Sequence, residues 1–152
     1  MKQIRIKVNK IIERFLVLIL VGMVLNVIWQ VFTRFFTSSP SAFTNELARY
    51  LMIWLGILGA AYISGKQEHV AIDFFVKKLN NSLRRFIDRF VLFSILSFAF
   101  FVMIIGGFNL VYITLKLEQY SPSLQIPLAL VYSIIPISGL LIIFYKVTQE
   151  KS

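Results

Sequence analysis

Cysteine is absent from the 152-residue chain, and histidine occurs once, as His69. Those two facts exclude thiolate zinc sites, disulfide frameworks, thiol nucleophiles and the two-histidine HExxH site. No metal or cofactor site is expected in this chain. Charge is also scarce: 15% of residues are charged, against about a quarter in an average soluble domain. Acids are the scarcer sign, seven against sixteen bases, leaving a net charge of +9. A basic balance can signal nucleic acid, but these bases fall between long apolar runs rather than on a soluble scaffold, so no nucleic-acid partner is expected.

Apolar side chains make up 58% of the sequence, and the mean hydropathy is +0.78. Such a surplus needs lipid as its solvent. A transmembrane helix takes roughly 20 apolar residues, and four stretches fit: about 15–35, 46–64, 90–115 and 128–145. The first is too long for a signal-peptide core and three more follow, so it reads as an uncleaved anchor. The expectation is one all-α integral membrane domain over residues 1–152.

The bases orient it. Lys2, Arg5, Lys7, Lys10 and Arg14 precede the first span, Lys66, Lys77, Lys78, Arg84, Arg85 and Arg89 fall in the middle loop, and Lys146 and Lys151 lie in the tail. Thirteen of sixteen bases therefore share one side, which the positive-inside rule makes cytoplasmic, both termini included. Arg34, Arg49 and Lys116 lie towards the other side. Residues 70–89 alternate apolar and charged positions at three- and four-residue steps, an amphipathic helix for the inner interface. The basic segment 1–14 predicts a weaker interfacial helix. Lys77, Lys78, Arg84, Arg85 and Arg89 suit anionic lipid headgroups, each worth about 1 kcal/mol.

No ionisable residue occupies the centre of any span. A small proton-coupled transporter would normally carry one there. What the spans do hold are small and amide residues at packing intervals: Gly22, Asn26 and Gln30 on the first, and Gly56, Ala60 and Ser64 on the second. With Trp54 and Gly59 they form the candidate helix-packing set; Asn109 of the third span reads as a further amide of this kind. Interhelical hydrogen bonds in lipid contribute about 0.6–2 kcal/mol. Pro136 predicts a kink in the fourth span, with Ser133 or Ser138 helping satisfy the freed backbone. Most tryptophans and tyrosines read as an interfacial belt.

Glu46 and Arg49 are the candidate partner-binding residues on the outer side. The apolar run 51–64 is too short to cross the bilayer, so its helix must extend through both. Three residues apart, they are able to pair with each other or to meet another protein. At the inner end, Gly65, Lys66, His69 and Asp73 form a candidate motif in which His69 and Asp73 could share a helical face. A membrane enzyme built on them would need a nucleophile or ligand set that the chain does not supply.

The order of these pieces resembles the small membrane (Q, DctQ-like) subunit of tripartite ATP-independent periplasmic (TRAP) transporters. The resemblance covers nearly the whole chain. It rests on Trp29-Gln30-Val31-Phe32-Thr33-Arg34-Phe35, on Asn45-Glu46-Leu47-Ala48-Arg49-Tyr50-Leu51, on Trp54 and Gly59-Ala60-Ala61, and on the Gly65, His69, Asp73 spacing. It implies a bacterial inner-membrane scaffold subunit, not an enzyme. Its implied partners are a large multi-span permease subunit that holds the substrate and sodium sites, and a periplasmic substrate-binding protein. Implied substrates are small organic acids such as dicarboxylates or sialic acid. Where the family often has two adjacent acids, this chain has Asn45-Glu46, so a role needing both carboxylates is not implied. The alternative reading is an autonomous, self-associating small transporter or channel, which would move substrate without a second polypeptide.

Overall fold

Proline-free sequence with a single glycine gives the longest element, α1 (Lys2–Thr37), in a computed structural model that describes residues 2–37, 41–66 and 81–150. The other elements are α2 (Ala42–Gly65), α3 (Asn81–Ser97), a π-helical segment (Phe98–Gly106), α4 (Gly107–Lys116), α5 (Leu128–Tyr132) and α6 (Ile134–Glu150). Among the described residues there is no strand, only an isolated bridge between Tyr120 and Pro127. Four helical stretches are long and apolar enough to cross a membrane: Gln3–Phe36, Ala42–Gly65, Leu83–Lys116 and Leu128–Thr148. The all-α membrane architecture expected from composition is the one observed.

The expected amino-terminal interfacial helix is not a separate element. Residues 2–14 are the first turns of α1, and residues 81–89 are the first turns of α3. No proline or glycine interrupts either junction, so nothing breaks the hydrogen-bond ladder there. Residues 70–80 of the expected amphipathic helix lie outside the described residues.

Breaks occur where the sequence supplies a cause. At the start of α2, the Thr44 hydroxyl donates to Ser41 O at 2.9 Å, and at its end the Lys66 N–H reaches Ile63 O at 2.9 Å. The fourth span is interrupted at Ser133, between α5 and α6. Pro136 has no N–H to offer the carbonyl four residues earlier, which explains the interruption. The Ser133 hydroxyl donates to Leu130 O at 2.7 Å rather than to the Tyr132 carbonyl that Pro136 leaves without its helical donor. Ser138, however, is buried, and among the described residues its hydroxyl has no partner. Pro127 sits at the cap position of α5 rather than inside its first turn.

Spans pack out of sequence order: the first on the second, the second on the fourth, and the fourth on the third. The third and fourth spans approach backbone to backbone. A Cβ on Gly107 would stand 2.9 Å from Pro136 Cδ, and one on Gly139 would stand 2.9 Å from Met103 Cβ and 3.2 Å from Ala99 O. Bare backbone lets the helices approach this closely.

Candidate functional site

Hydrogen bonds tie the bundle together at both ends. We call these the terminal end, where α1 begins and α6 finishes, and the loop end, where α2 begins and the 117–127 connection lies.

At the loop end, Glu46 is a latch. Its Oε1 accepts the Tyr50 hydroxyl at 2.8 Å, while its Oε2 accepts the backbone N–H groups of Ser123 at 2.8 Å and Leu124 at 3.1 Å. Two successive N–H groups form a small anion-binding concavity, and this carboxylate fills it. The loop around it is shaped by its own bonds: Gln125 N–H to Ser121 O at 3.0 Å, Ser121 N–H to Ile126 O at 2.9 Å and Leu128 N–H to Gln119 O at 2.9 Å. Glu118 and Gln125 adopt left-handed backbone at φ 45° and 51°, a conformation that costs energy outside glycine and persists where neighbouring bonds enforce it.

Glu46 and Arg49 therefore do not pair among the described residues. Both Glu46 oxygens are engaged by Tyr50 and the loop, and Arg49 is exposed. Geometry explains the difference: Tyr50 lies one turn along α2 on the same side as Glu46, whereas Arg49 points to the outward face.

That outward face runs along α2 through Arg49, Met52, Gly56 and Ala60, all exposed. Cβ atoms added at Gly56 and Gly59 would meet nothing within 4 Å. The small-residue series was expected to pack helices, yet within this chain Gly56 and Ala60 touch no neighbouring helix closely. Ser64 turns inward instead, its hydroxyl buried and without a hydrogen-bond partner among the described residues. Gly22 likewise opens onto space.

Other expected packing residues do join helices. Asn26 is buried and its Nδ2 donates to Thr44 O at 2.8 Å, fastening α1 to α2. Gln30, one turn on, is half-buried, but the bond seen there lies within α1: its backbone carbonyl accepts the Thr33 hydroxyl at 3.0 Å. The Trp54 Nε1–H donates to Val131 O at 3.0 Å, a carbonyl in the last turn of α5 before the break. Asn109 is exposed on the third span rather than bonded between helices.

At the terminal end, the Arg5 guanidinium donates to Gly65 O. Gly65 lies beneath the Tyr145 ring, which a Cβ there would meet at 2.8 Å. Tyr145 is not part of an interfacial belt: it is fully buried, and its hydroxyl donates to Asn9 Oδ1 at 2.6 Å. The Lys66 ammonium sits 4.7 Å over the Tyr62 ring. His69, Asp73, Lys77 and Lys78 lie outside the described residues. Of the remaining bases expected to meet headgroups, Arg84 Nε reaches Asp88 Oδ2 at 4.0 Å, and Arg85 and Arg89 are exposed. No cluster of three metal-ligating side chains occurs among the described residues.

The geometry is that of a membrane bundle with a built connecting loop and an exposed helix face. The family model for the DctQ component of tripartite ATP-independent periplasmic transporters matches residues 23–149. The chain belongs to that family. It is therefore a TRAP transporter small permease subunit, a multi-pass inner-membrane protein and a transport component rather than an enzyme. A small permease protein of such a transporter in Haemophilus influenzae is 28% identical over 142 residues, covering 93% of this chain and 86% of that protein. The C4-dicarboxylate small permease protein DctQ of Rhodobacter capsulatus is 35% identical over 102 residues, 66% of this chain and 44% of the relative. A third relative, the sialic acid TRAP transporter permease protein SiaT of Haemophilus influenzae, is 37% identical over 62 residues, 41% of this chain but 10% of that much longer protein.

Several residues that build these ends carry no sequence signal. Ser123 and Leu124 contribute only backbone, and they lie 77 and 78 residues from Glu46. Asn9 and Tyr145 are 136 apart.

Proposed function

We propose that this small permease subunit is a scaffold: it packs its outward α2 face against a large permease subunit, stabilises that subunit and helps seat a periplasmic substrate-binding protein. Substrate would be an organic acid, a class that the names of the dicarboxylate and sialic acid relatives support. Coupling sodium ions would sit in the large subunit, since the centres of these four spans hold no ionisable group. The loop end would face the periplasm and the terminal end the cytoplasm. In that orientation Arg84, Arg85 and Arg89 meet the anionic inner leaflet.

One observation carries the reading. The stripe Arg49, Met52, Gly56 and Ala60 is exposed although it is made for close approach, and small residues in lipid gain their stabilisation when another helix comes near. The relative SiaT, a much longer permease protein with a segment similar to this chain, supports a large permease as that neighbour.

Reconstitution tests it. The chain alone in liposomes under a sodium gradient is expected to give no organic-acid uptake, and adding the large subunit and the binding protein is expected to restore it. Robust uptake by the isolated chain would overturn the scaffold reading in favour of an autonomous transporter. Orientation is checked with Ser39→Cys, which is expected to react with an impermeant reagent from the periplasmic side only.

A further inference from the structure

Towards the terminal end, a cationic stretch of α1 adjoins an apolar groove between α1 and α2. Depth in the bilayer follows from spacing. Between Arg14 and Arg34 the sequence is uncharged, a run of about 28 Å at 1.5 Å per residue, close to the roughly 30 Å of a hydrocarbon core. Arg14 and Arg34 therefore mark its two boundaries. Lys10, one turn further out, stands at headgroup depth.

Two cavities adjoin here and share Val17. One, of about 550 Å³, is lined by Lys10, Glu13 and Arg14 with Val17 and Leu18. The other, of about 390 Å³, continues into the core between α1 and α2 over Leu20, Leu55 and Gly59, with almost no polar surface. Glu13 is engaged by the Tyr62 hydroxyl at 3.3 Å. Among the described residues no carboxylate forms an ion pair with Lys10 or Arg14, which lie one turn apart on the same side. At Gly59 an added Cβ would meet nothing within 4 Å, so the floor is open.

We propose that this groove binds one anionic phospholipid, its phosphate held by Lys10 and Arg14 and one acyl chain lying over Gly59. A purely apolar partner helix would leave two cations at headgroup depth without a counter-charge; a phosphodiester supplies it and brings the hydrocarbon that the floor solvates. The site borders the outward α2 face but is distinct from the Arg84, Arg85 and Arg89 surface, which offers charge without a groove.

The test uses the purified full chain, native mass spectrometry, and phosphatidylglycerol or phosphatidylcholine of matched acyl chains as probes. One phosphatidylglycerol is expected to survive delipidation where phosphatidylcholine does not. Lys10→Gln with Arg14→Gln should lower phosphatidylglycerol affinity on the order of 10- to 30-fold, about fivefold per base. Gly59→Leu should also displace the lipid without lowering the thermal midpoint, because its Cβ would meet nothing within 4 Å. Equal retention of the two lipids would overturn the proposal, as would wild-type affinity in both variants. So would a photo-crosslinker at position 59 that labels protein instead of lipid in native membranes.

Discussion

The first and fourth spans are both apolar along their length, yet 11% of the first and 44% of the fourth is buried within the chain. Apolar character decided only that each enters the bilayer, since lipid tails solvate leucine as well as another helix does. Shape decided which span became the core. The fourth has Gly139 against the third span, a break before Pro136 whose neighbouring carbonyl takes the Trp54 indole, and Tyr145 sealed under Gly65. The first has Gly22 facing open space, and one buried amide, Asn26, fastening its side.

The comparison breaks most visibly at Gly139. Gly139→Leu would drive a side chain into Met103 Cβ, Ile104 and the Ala99 carbonyl, and overpacking of this kind costs up to about 3 kcal/mol. Loss of most folded protein after mild heating in detergent, read by size-exclusion chromatography, is expected; an unchanged midpoint would mean that the two spans do not touch there. Next is the loop latch. Glu46→Ala removes charge-assisted bonds to two backbone N–H groups and a hydroxyl, worth about 1.5–3 kcal/mol. The expected signature is local: faster hydrogen exchange at the Ser123 and Leu124 amides, with Glu46→Gln intermediate because it keeps one carbonyl acceptor.

Asn26→Leu tests the buried amide that fastens the first span towards the loop end, away from the Arg5, Asn9 and Glu13 bonds near its start. It should lower stability by about 1 kcal/mol, the scale of an interhelical bond in lipid, and loosen α1 while α2 and α6 stay docked. The smallest effect on the isolated chain is expected for Gly56→Leu, whose added side chain meets nothing. Its thermal midpoint should match wild type, but co-purification with a large permease subunit should fall. If co-purification is undiminished, the outward α2 face is lined by lipid.

Sequence made the spans legible because apolar length is a local property. It also made Asn26 and Trp54 legible as residues that join helices, since a buried amide or indole must find a partner wherever it lands. It misassigned the glycines. Gly56 and Ala60 show the small-residue spacing and face outward, whereas Gly107 and Gly139, which lack that spacing, make the close approach. Spacing identifies a smooth surface on one helix, and which helix meets it depends on pairing order, here second to fourth and fourth to third. Glu46 stands out in the sequence as unusual, but two of its three partners are backbone N–H groups and leave no trace in side-chain identity. The amino-terminal interfacial helix merged into a longer one because amphipathic periodicity reports a face, not an end.

The π-helical segment Phe98–Gly106 gives the third span a change of phase. Each turn there holds more residues than an α-turn, so the faces before and after it are rotated relative to an uninterrupted helix. Ala99 can thus lie under Gly139 while Gly107 lies under Pro136. Deleting one residue inside the segment would turn everything beyond it by about 100°, swinging Gly107 away from the proline and carrying the Glu46-held loop with it. The 117–127 connection is therefore aimed from the middle of the third span as well as clasped by Glu46.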